Sequence, residues 1–76
     1  MASYIIEKTL AEISRTNGTV KKLTLTGWSN NPAKLDLRTW LIVADGDAAQ
    51  PGRGVTLTDE EARALADALN AYLSGK

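Results

Sequence analysis

Apolar and polar residues alternate with period two through residues 34–40, and this pattern predicts a β-strand. Leu35 and Leu37 fall on one side of that strand. The other side carries Lys34, Asp36, Arg38 and Trp40. Burial against the leucines does not explain a large aromatic ring among charged residues, so Trp40 points to a binding surface.

Three further segments have the composition or alternation of strands, at residues 4–14, 20–29 and 54–57. The strand that starts at residue 34 is expected to continue to residue 43. Turn-forming residues separate the segments: Asn17-Gly18, residues 29–33 with their Asn-Asn-Pro run, and residues 44–52, which are small, acidic and interrupted by Pro and Gly. We therefore predict four antiparallel strands.

The register of the second and third strands follows from keeping their two faces separate. Pairing Trp28 with Lys34 places Thr26 opposite Asp36, Thr24 opposite Arg38 and Lys22 opposite Trp40. Two faces result. The leucine face consists of Leu23, Leu25, Leu35 and Leu37, and the tryptophan face consists of Lys22, Thr24, Thr26, Trp28, Lys34, Asp36, Arg38 and Trp40.

The first hairpin is expected to turn at Asn17-Gly18. A two-residue turn there pairs Leu10 with Leu25. It also places Tyr4 and Ile6 on the leucine face.

A helix follows the last strand. Thr58 and Glu61 have the spacing of a capping box, and acidic residues fill the first turn. One apolar stripe then recurs at helical spacing, formed by Ala62, Leu65, Ala66, Leu69, Tyr72 and Leu73, and Gly75 is a plausible stop. The predicted fold class is α+β, a single domain over residues 1–76 with a four-stranded antiparallel β-sheet followed by one C-terminal α-helix.

One helix covers only part of one face of a four-stranded sheet, and a chain of 76 residues buries a small core. A second copy of the chain is the simplest cover for the remaining leucines. We therefore expect a homodimer whose interface includes Leu65, Leu69, Tyr72 and Leu73. The alternative is a monomer in which the helix and loops suffice.

Composition excludes several classes of function. The chain has no cysteine or histidine, which removes thiol chemistry, disulfides, the usual zinc sites and the commonest general base. No phosphate-loop, metal or nucleophile pattern appears, and Gly52 and Gly54 look like turn residues. We expect a non-enzyme without a cofactor, metal or small-molecule substrate. With no membrane span and no signal peptide, it should be soluble and cytoplasmic.

The net charge is zero but unevenly distributed. Residues 1–57 hold seven basic and five acidic residues, whereas residues 58–76 hold two basic and four acidic ones. A neutral chain can therefore present a positive side and a negative side.

Aromatic rings among cations and hydroxyls are the components of a platform on which unpaired bases stack. The tryptophan face has this composition, so it is a candidate single-strand-binding surface. The tryptophans could instead cover sheet edges, or Lys22 could pack on Trp40 as a cation–π pair. A further alternative is a protein-interaction module in which Trp28, Trp40 and Ile42 form the contact patch.

The run Asp36-Leu37-Arg38-Thr39-Trp40, the run Pro51-Gly52-Arg53-Gly54-Val55-Thr56-Leu57-Thr58 and the closing helix with its acidic start resemble one known family. They are similar to the C-terminal domain of the transcriptional coactivator positive cofactor four. The pairing of Gly27-Trp28-Ser29-Asn30 with residues 34–40 is most like its YdbC-like bacterial branch. The resemblance covers nearly the whole chain from Val20 onward.

This resemblance implies a homodimer of curved four-stranded sheets that are joined through the C-terminal helices. It implies that the ridges and grooves of the exposed sheet face bind single-stranded DNA. We expect the protein to bind single-stranded DNA or RNA in transcription regulation, replication or repair, at the nucleoid if it is bacterial. Trp28 and Trp40 correspond to stacking positions, Arg38 to the arginine of an Asp-x-Arg motif and Arg53 to the basic residue of a Pro-Gly-Arg turn. Lys22, Thr24, Thr26 and Lys34 complete the predicted nucleic-acid site. The family's additional lysine after that turn is absent, and the loop at residues 44–50 is acidic.

Overall fold

One antiparallel sheet and one helix make up the computed structural model, which describes residues 3–42 and 49–75. The elements are β1 (Tyr4–Thr16), β2 (Thr19–Trp28), β3 (Lys34–Ile42), β4 (Ala49–Leu57) and α1 (Asp59–Ser74). The strands lie in the order β1-β2-β3-β4. The predicted fold class, four antiparallel strands followed by one helix, is confirmed.

β4 is longer than the sequence indicated. It begins at Ala49, whereas the prediction began it at Gly54 and assigned residues 44–52 to a loop. Pro51 is compatible with β4 because this strand lies at the edge of the sheet, where a missing N–H is tolerated. The interpretation of Gly52 and Gly54 as turn residues is therefore wrong. The predicted end of β3 at residue 43 lies outside the described residues.

The ladder between β2 and β3 is shifted by two residues from the predicted register. Thr26 pairs with Lys34, Thr24 with Asp36, Lys22 with Arg38 and Val20 with Trp40. The shift arises because Gly27 and Trp28 continue to pair with β1 after β2 has parted from β3. A shift of two residues preserves the faces, so the four leucines still share one side of the sheet.

β1 contains three irregularities that the sequence did not reveal. Glu7, Leu10 and Ile13 have no partner in the ladder with β2, so each is an extra residue on β1. The predicted pairing of Leu10 with Leu25 is wrong for this reason. Each extra residue moves the following side chains to the other face, and three of them place Tyr4 opposite Trp28.

The placement of Tyr4 and Ile6 on the leucine face is therefore also wrong. Both residues pair with members of the tryptophan face, Tyr4 with Trp28 and Ile6 with Thr26. This change of face brings the Tyr4 ring towards the tryptophans.

The sheet curls with the tryptophan face on the inside. Trp40 pairs with Val20, eight residues from Trp28 along β2. In a flat strand that separation is roughly 26 Å at about 3.3 Å per residue. The ring centroid of Tyr4 nevertheless lies 5.1 Å from that of Trp28 and 5.4 Å from that of Trp40.

Burial follows this curl. Among the described residues, the buried hydrophobic side chains are Val20 and Trp40, which are 2% and 1% exposed. Thr24, Thr26 and Asp36 are buried beside them on the tryptophan face. The expectation that this whole face is exposed is therefore wrong for Trp40, Thr24, Thr26 and Asp36. The leucine face, in contrast, is only half-buried.

The helix begins as predicted. The Thr58 hydroxyl accepts from the Glu61 amide at 3.1 Å, and the Thr58 amide donates to the Glu61 carboxylate at 2.8 Å, which completes the capping box. Gly75 caps the other end. α1 packs lightly against β4 and has no buried residue. No helix in the described part of the chain is long and apolar enough to cross a membrane.

Candidate nucleic-acid interface

A cleft of about 310 Å³ opens on the tryptophan face, between the end of β2, the connection to β3, and the strands β3 and β4. Its lining residues are Thr26, Trp28, Asn31, Pro32, Lys34, Arg38 and Thr56. This volume is at the lower end of the range for small-ligand sites, roughly 300 to 1,000 Å³. The cleft therefore has room for one small group rather than for an extended surface contact.

The indole of Trp28 is held by three neighbours. Its Nε1–H donates to Oδ2 of Asp36 at 2.8 Å. The guanidinium carbon of Arg38 lies 4.7 Å from the ring centroid, a cation–π contact, and the Tyr4 ring packs against the indole at a tilt of 41°. The ring consequently has a fixed orientation at the cleft.

Arg38 and Asp36 form a bidentate ion pair. Nε of Arg38 donates to Oδ1 of Asp36 at 2.7 Å, and Nη2 donates to Oδ2 at 3.0 Å. A third bond joins Nη1 to the Gly52 carbonyl at 2.9 Å. The Asp36 side chain is 0% exposed and that of Arg38 is 15% exposed. Such a buried pair is costly to break, because removal of one partner leaves an uncompensated charge.

The glycines of β4 make room for Arg38. Gly54 pairs with Arg38 across the sheet, and a Cβ atom at Gly54 would overlap the Cβ of Arg38. Gly52 and Arg53 together oppose Thr39 as a bulge, and a Cβ atom at Gly52 would lie 2.8 Å from the Thr39 carbonyl oxygen. The glycines thus allow two backbones to approach closely.

The connection between β2 and β3 forms one wall of the cleft. The Asn31 amide donates to the Trp28 carbonyl at 2.9 Å, and Ser29 and Asn30 have φ values of 51° and 69°. Two successive residues with positive φ are typical of the hairpin turn whose twist matches that of the strands. Left-handed backbone is unusual for serine, and such conformations cluster at functional sites.

Lys34 is exposed at the cleft and has no ion pair within the described part of the chain. Lys22 lies opposite Glu12 on β1. The pKa of Glu12 is lowered, first by its hydrogen bond with Arg15 and to a smaller extent by Lys22. The charge of Lys22 therefore has an acidic neighbour, and Lys34 is the accessible cation of the cleft.

The structure brings together half of the predicted nucleic-acid site. Thr26, Trp28, Lys34 and Arg38 line the cleft, whereas Lys22, Thr24, Trp40 and Arg53 do not. Arg53 is exposed on β4. Thr24 is buried, and its hydroxyl lies 2.7 Å from that of Thr26.

Trp40 belongs to the interior. Its Nε1 is buried without a hydrogen-bond partner among the described residues, and its ring packs against Tyr4. A base cannot stack on this ring while it stays enclosed. The cation–π pair considered for Lys22 and Trp40 is likewise absent from the contacts of the described residues, in which Arg38 packs on Trp28 instead.

Sequence reasoning missed Asn31, Pro32 and Thr56 in the lining and Tyr4 behind Trp28. Thr56 could have been found from the sequence. It lies between Val55 and Leu57, so it is on the side of the last strand opposite these two apolar residues. Asn31 and Pro32 carried only a loop signal. Tyr4 was hidden by the irregularities of β1.

Comparison with known proteins identifies little. No protein-family model matches the chain. A protein of Treponema pallidum (strain Nichols), described as an uncharacterized protein, is 40% identical over 55 residues, which are 72% of this chain and 60% of that protein. The chain thus spans less than two thirds of that relative's length. This similarity assigns no activity.

Proposed function

We propose that this protein binds single-stranded nucleic acid, DNA or RNA, with little sequence preference, and that it acts as a homodimer. One observation carries the proposal: the cleft combines the fixed indole of Trp28, the guanidinium of Arg38 packed on it, and the accessible cation of Lys34. Nucleobases stack on aromatic rings and on guanidinium planes. The phosphate that accompanies a stacked base is then within the field of Lys34.

The shape of the cleft favours unpaired bases. A duplex hides its base faces inside the stack, so it cannot offer one to Trp28. The Thr56 hydroxyl and the Asn31 amide group, both on exposed residues of the cleft, are able to donate and to accept hydrogen bonds, which suits any base. Low sequence preference follows.

The neutral net charge limits the electrostatic part of the binding. Each phosphate neutralised by a cation contributes a slope of about −0.7 to log affinity against log salt on a single strand. With Arg38 paired to Asp36, we expect a shallow salt dependence and moderate affinity. The resemblance to positive cofactor four supports a role in transcription regulation, replication or repair, in the cytoplasm and at the nucleoid of a bacterium.

The homodimer is supported by apolar surface that the single chain leaves uncovered. Leu65, Leu69, Tyr72 and Leu73 are all exposed on α1, and the leucine face is half-buried. A sheet face of this kind needs a second layer. A second copy supplies both a helix stripe and a leucine face.

The alternative of a protein-interaction module that uses Trp28 and Trp40 together is disfavoured. The enclosure of Trp40 removes it from any contact patch, and Trp28 alone lies at a cleft rather than on a broad apolar surface.

Fluorescence anisotropy of labelled oligonucleotides tests the proposal. Single-stranded DNA, single-stranded RNA and duplex DNA of equal length are titrated at one salt concentration. We expect binding to the single strands and much weaker binding to the duplex. Equal affinity for duplex and single strand, or no binding to either, would refute it.

A further inference from the structure

Asp36 does not line the cleft, yet its hydrogen bonds go to two residues that do. It accepts from the indole of Trp28 and from two nitrogens of Arg38. The carboxylate is fully buried, so no ligand reaches it directly. Its influence on a ligand must pass through these two partners.

We infer that Asp36 is the positioning residue of the cleft: it orients Trp28 and cancels the charge of Arg38, so that Lys34 supplies the uncompensated positive charge and the cleft takes one unpaired base with one phosphate. This inference rests on the proposed function and assigns the roles of residues within it. The sequence places Arg38 among the predicted nucleic-acid-binding residues, whereas this inference pairs its charge with Asp36 rather than with a phosphate.

The geometry of the ion pair supports this assignment. Bonds of 2.7 and 3.0 Å place both carboxylate oxygens against the guanidinium, so a phosphate outside the pair meets a nearly neutral unit. Nη1, the remaining guanidinium nitrogen, donates one of its two N–H groups to the Gly52 carbonyl. Arg38 therefore offers its flat surface to the cleft more readily than its charge.

The register of the sheet also places Asp36 close to a pair of like charges. Lys22 lies directly opposite Arg38 on the neighbouring strand, and like charges in that position destabilise a sheet. On the same face, the pair next to Lys22 and Arg38 is Thr24 and Asp36, so the Asp36 carboxylate lies beside the two cations. The carboxylate therefore lowers the repulsion between the two cations as well as fixing the indole.

The test compares salt slopes of single-strand binding for the wild type, Asp36→Asn and Asp67→Asn. Both substitutions remove one negative charge, but Asp67 lies exposed on α1 outside the cleft. Asp36→Asn frees the charge of Arg38, so its slope should steepen by up to about 0.7, whereas Asp67→Asn should keep the wild-type slope. Lys34→Gln should make the slope shallower by a similar amount. An unchanged or shallower slope for Asp36→Asn would overturn the inference.

A readout without nucleic acid isolates the positioning role. In the NMR spectrum of the free protein, Asp36→Asn should shift the indole N–H resonance of Trp28, which loses its carboxylate acceptor. The same resonance should keep its wild-type position in Asp67→Asn. An unshifted Trp28 resonance in Asp36→Asn would contradict the positioning role.

If Asp36→Asn does not fold, the double variant Asp36→Asn with Arg38→Gln replaces the ion pair by two neutral amides. Its slope should equal that of the wild type, because the pair contributes no net charge. A slope about 0.7 shallower would show that Arg38 contacts a phosphate in the wild type and would overturn the inference. Failure of the proposed function looks different, since the wild type itself would then not bind single strands.

Discussion

The ring centroid of Tyr4 lies 5.4 Å from that of Trp40, although β2 separates their strands in the sheet. This contact is possible because three extra residues in β1 turn Tyr4 to the inner face and because the sheet curls over it. The two tryptophans therefore have different roles. Trp40 stabilises the fold, and Trp28 remains at the cleft.

These different roles of Trp28 and Trp40 predict different results for the two tryptophan substitutions. Trp40→Ala removes a fully buried side chain and should lower the free energy of unfolding by about 3 to 5 kcal/mol, measured by urea denaturation. Trp28→Ala should leave a folded protein that loses about 1 to 3 kcal/mol of single-strand affinity. If Trp28→Ala bound normally while folded, or if Trp40→Ala were as stable as the wild type, the assignment of roles would be wrong.

Gly54→Ala should disturb Arg38. The added methyl group would overlap the Arg38 Cβ, so the strands must separate locally, at a cost of about 1 to 3 kcal/mol of stability. Gly75→Ala is the matched control, because its Cβ would lie 3.6 Å from the Tyr72 carbonyl oxygen, an ordinary contact. Urea denaturation of both variants measures the difference. Equal midpoints would mean that β4 accepts a side chain at position 54.

Thr58→Ala should remove the cap of α1 and cost about 0.5 to 2 kcal/mol of stability. Thr58→Ser retains a hydroxyl that accepts from the Glu61 amide, so its stability should stay within about 0.5 kcal/mol of the wild type. Thermal unfolding followed by circular dichroism distinguishes them. Identical transitions for the alanine and serine variants would show that the capping box contributes little.

Leu69→Asp tests the proposed homodimer. Leu69 is 49% exposed in the single chain, so the substitution should weaken dimerisation more than folding of the single chain. Dimerisation would bury the new carboxylate in an apolar interface. Ala64→Asp is a matched control because it lies nearly opposite Leu69 around the helix. Light scattering should give a dimer mass for the wild type and Ala64→Asp and a smaller mass for Leu69→Asp. A wild-type mass of one chain at micromolar concentration would exclude the dimer.

Much of the fold was readable from the sequence because its signals are local. The alternation of Leu35 and Leu37 with polar residues predicted β3, and the spacing of Thr58 and Glu61 predicted the start of α1. The faces of β2 and β3 survived a two-residue error in register because side chains alternate with period two. Extra residues such as Leu10 carry no such signal, since nothing in their composition distinguishes them from paired strand residues.

The site was only partly readable for the same reason. Alternation placed Trp28 and Trp40 on one face but gave no measure of how strongly the sheet curls, and the curl decides which ring is enclosed. The pairing of Asp36 with Arg38 was equally hidden. Two residues at that spacing share a face of a strand, but only the structure establishes that their side chains meet.

The most direct test of a single-strand site in the cleft is a chemical-shift map of the protein on addition of a short single-stranded oligonucleotide, with the two indole N–H resonances as reporters. The resonances of the Trp28 indole and of the amides around Asn31, Lys34 and Thr56 should shift in proportion to bound oligonucleotide, while the Trp40 indole resonance should hardly move. The equivalent duplex should leave the map nearly unchanged. Shifts centred on α1, or no shifts at saturating oligonucleotide, would contradict a single-strand site in this cleft.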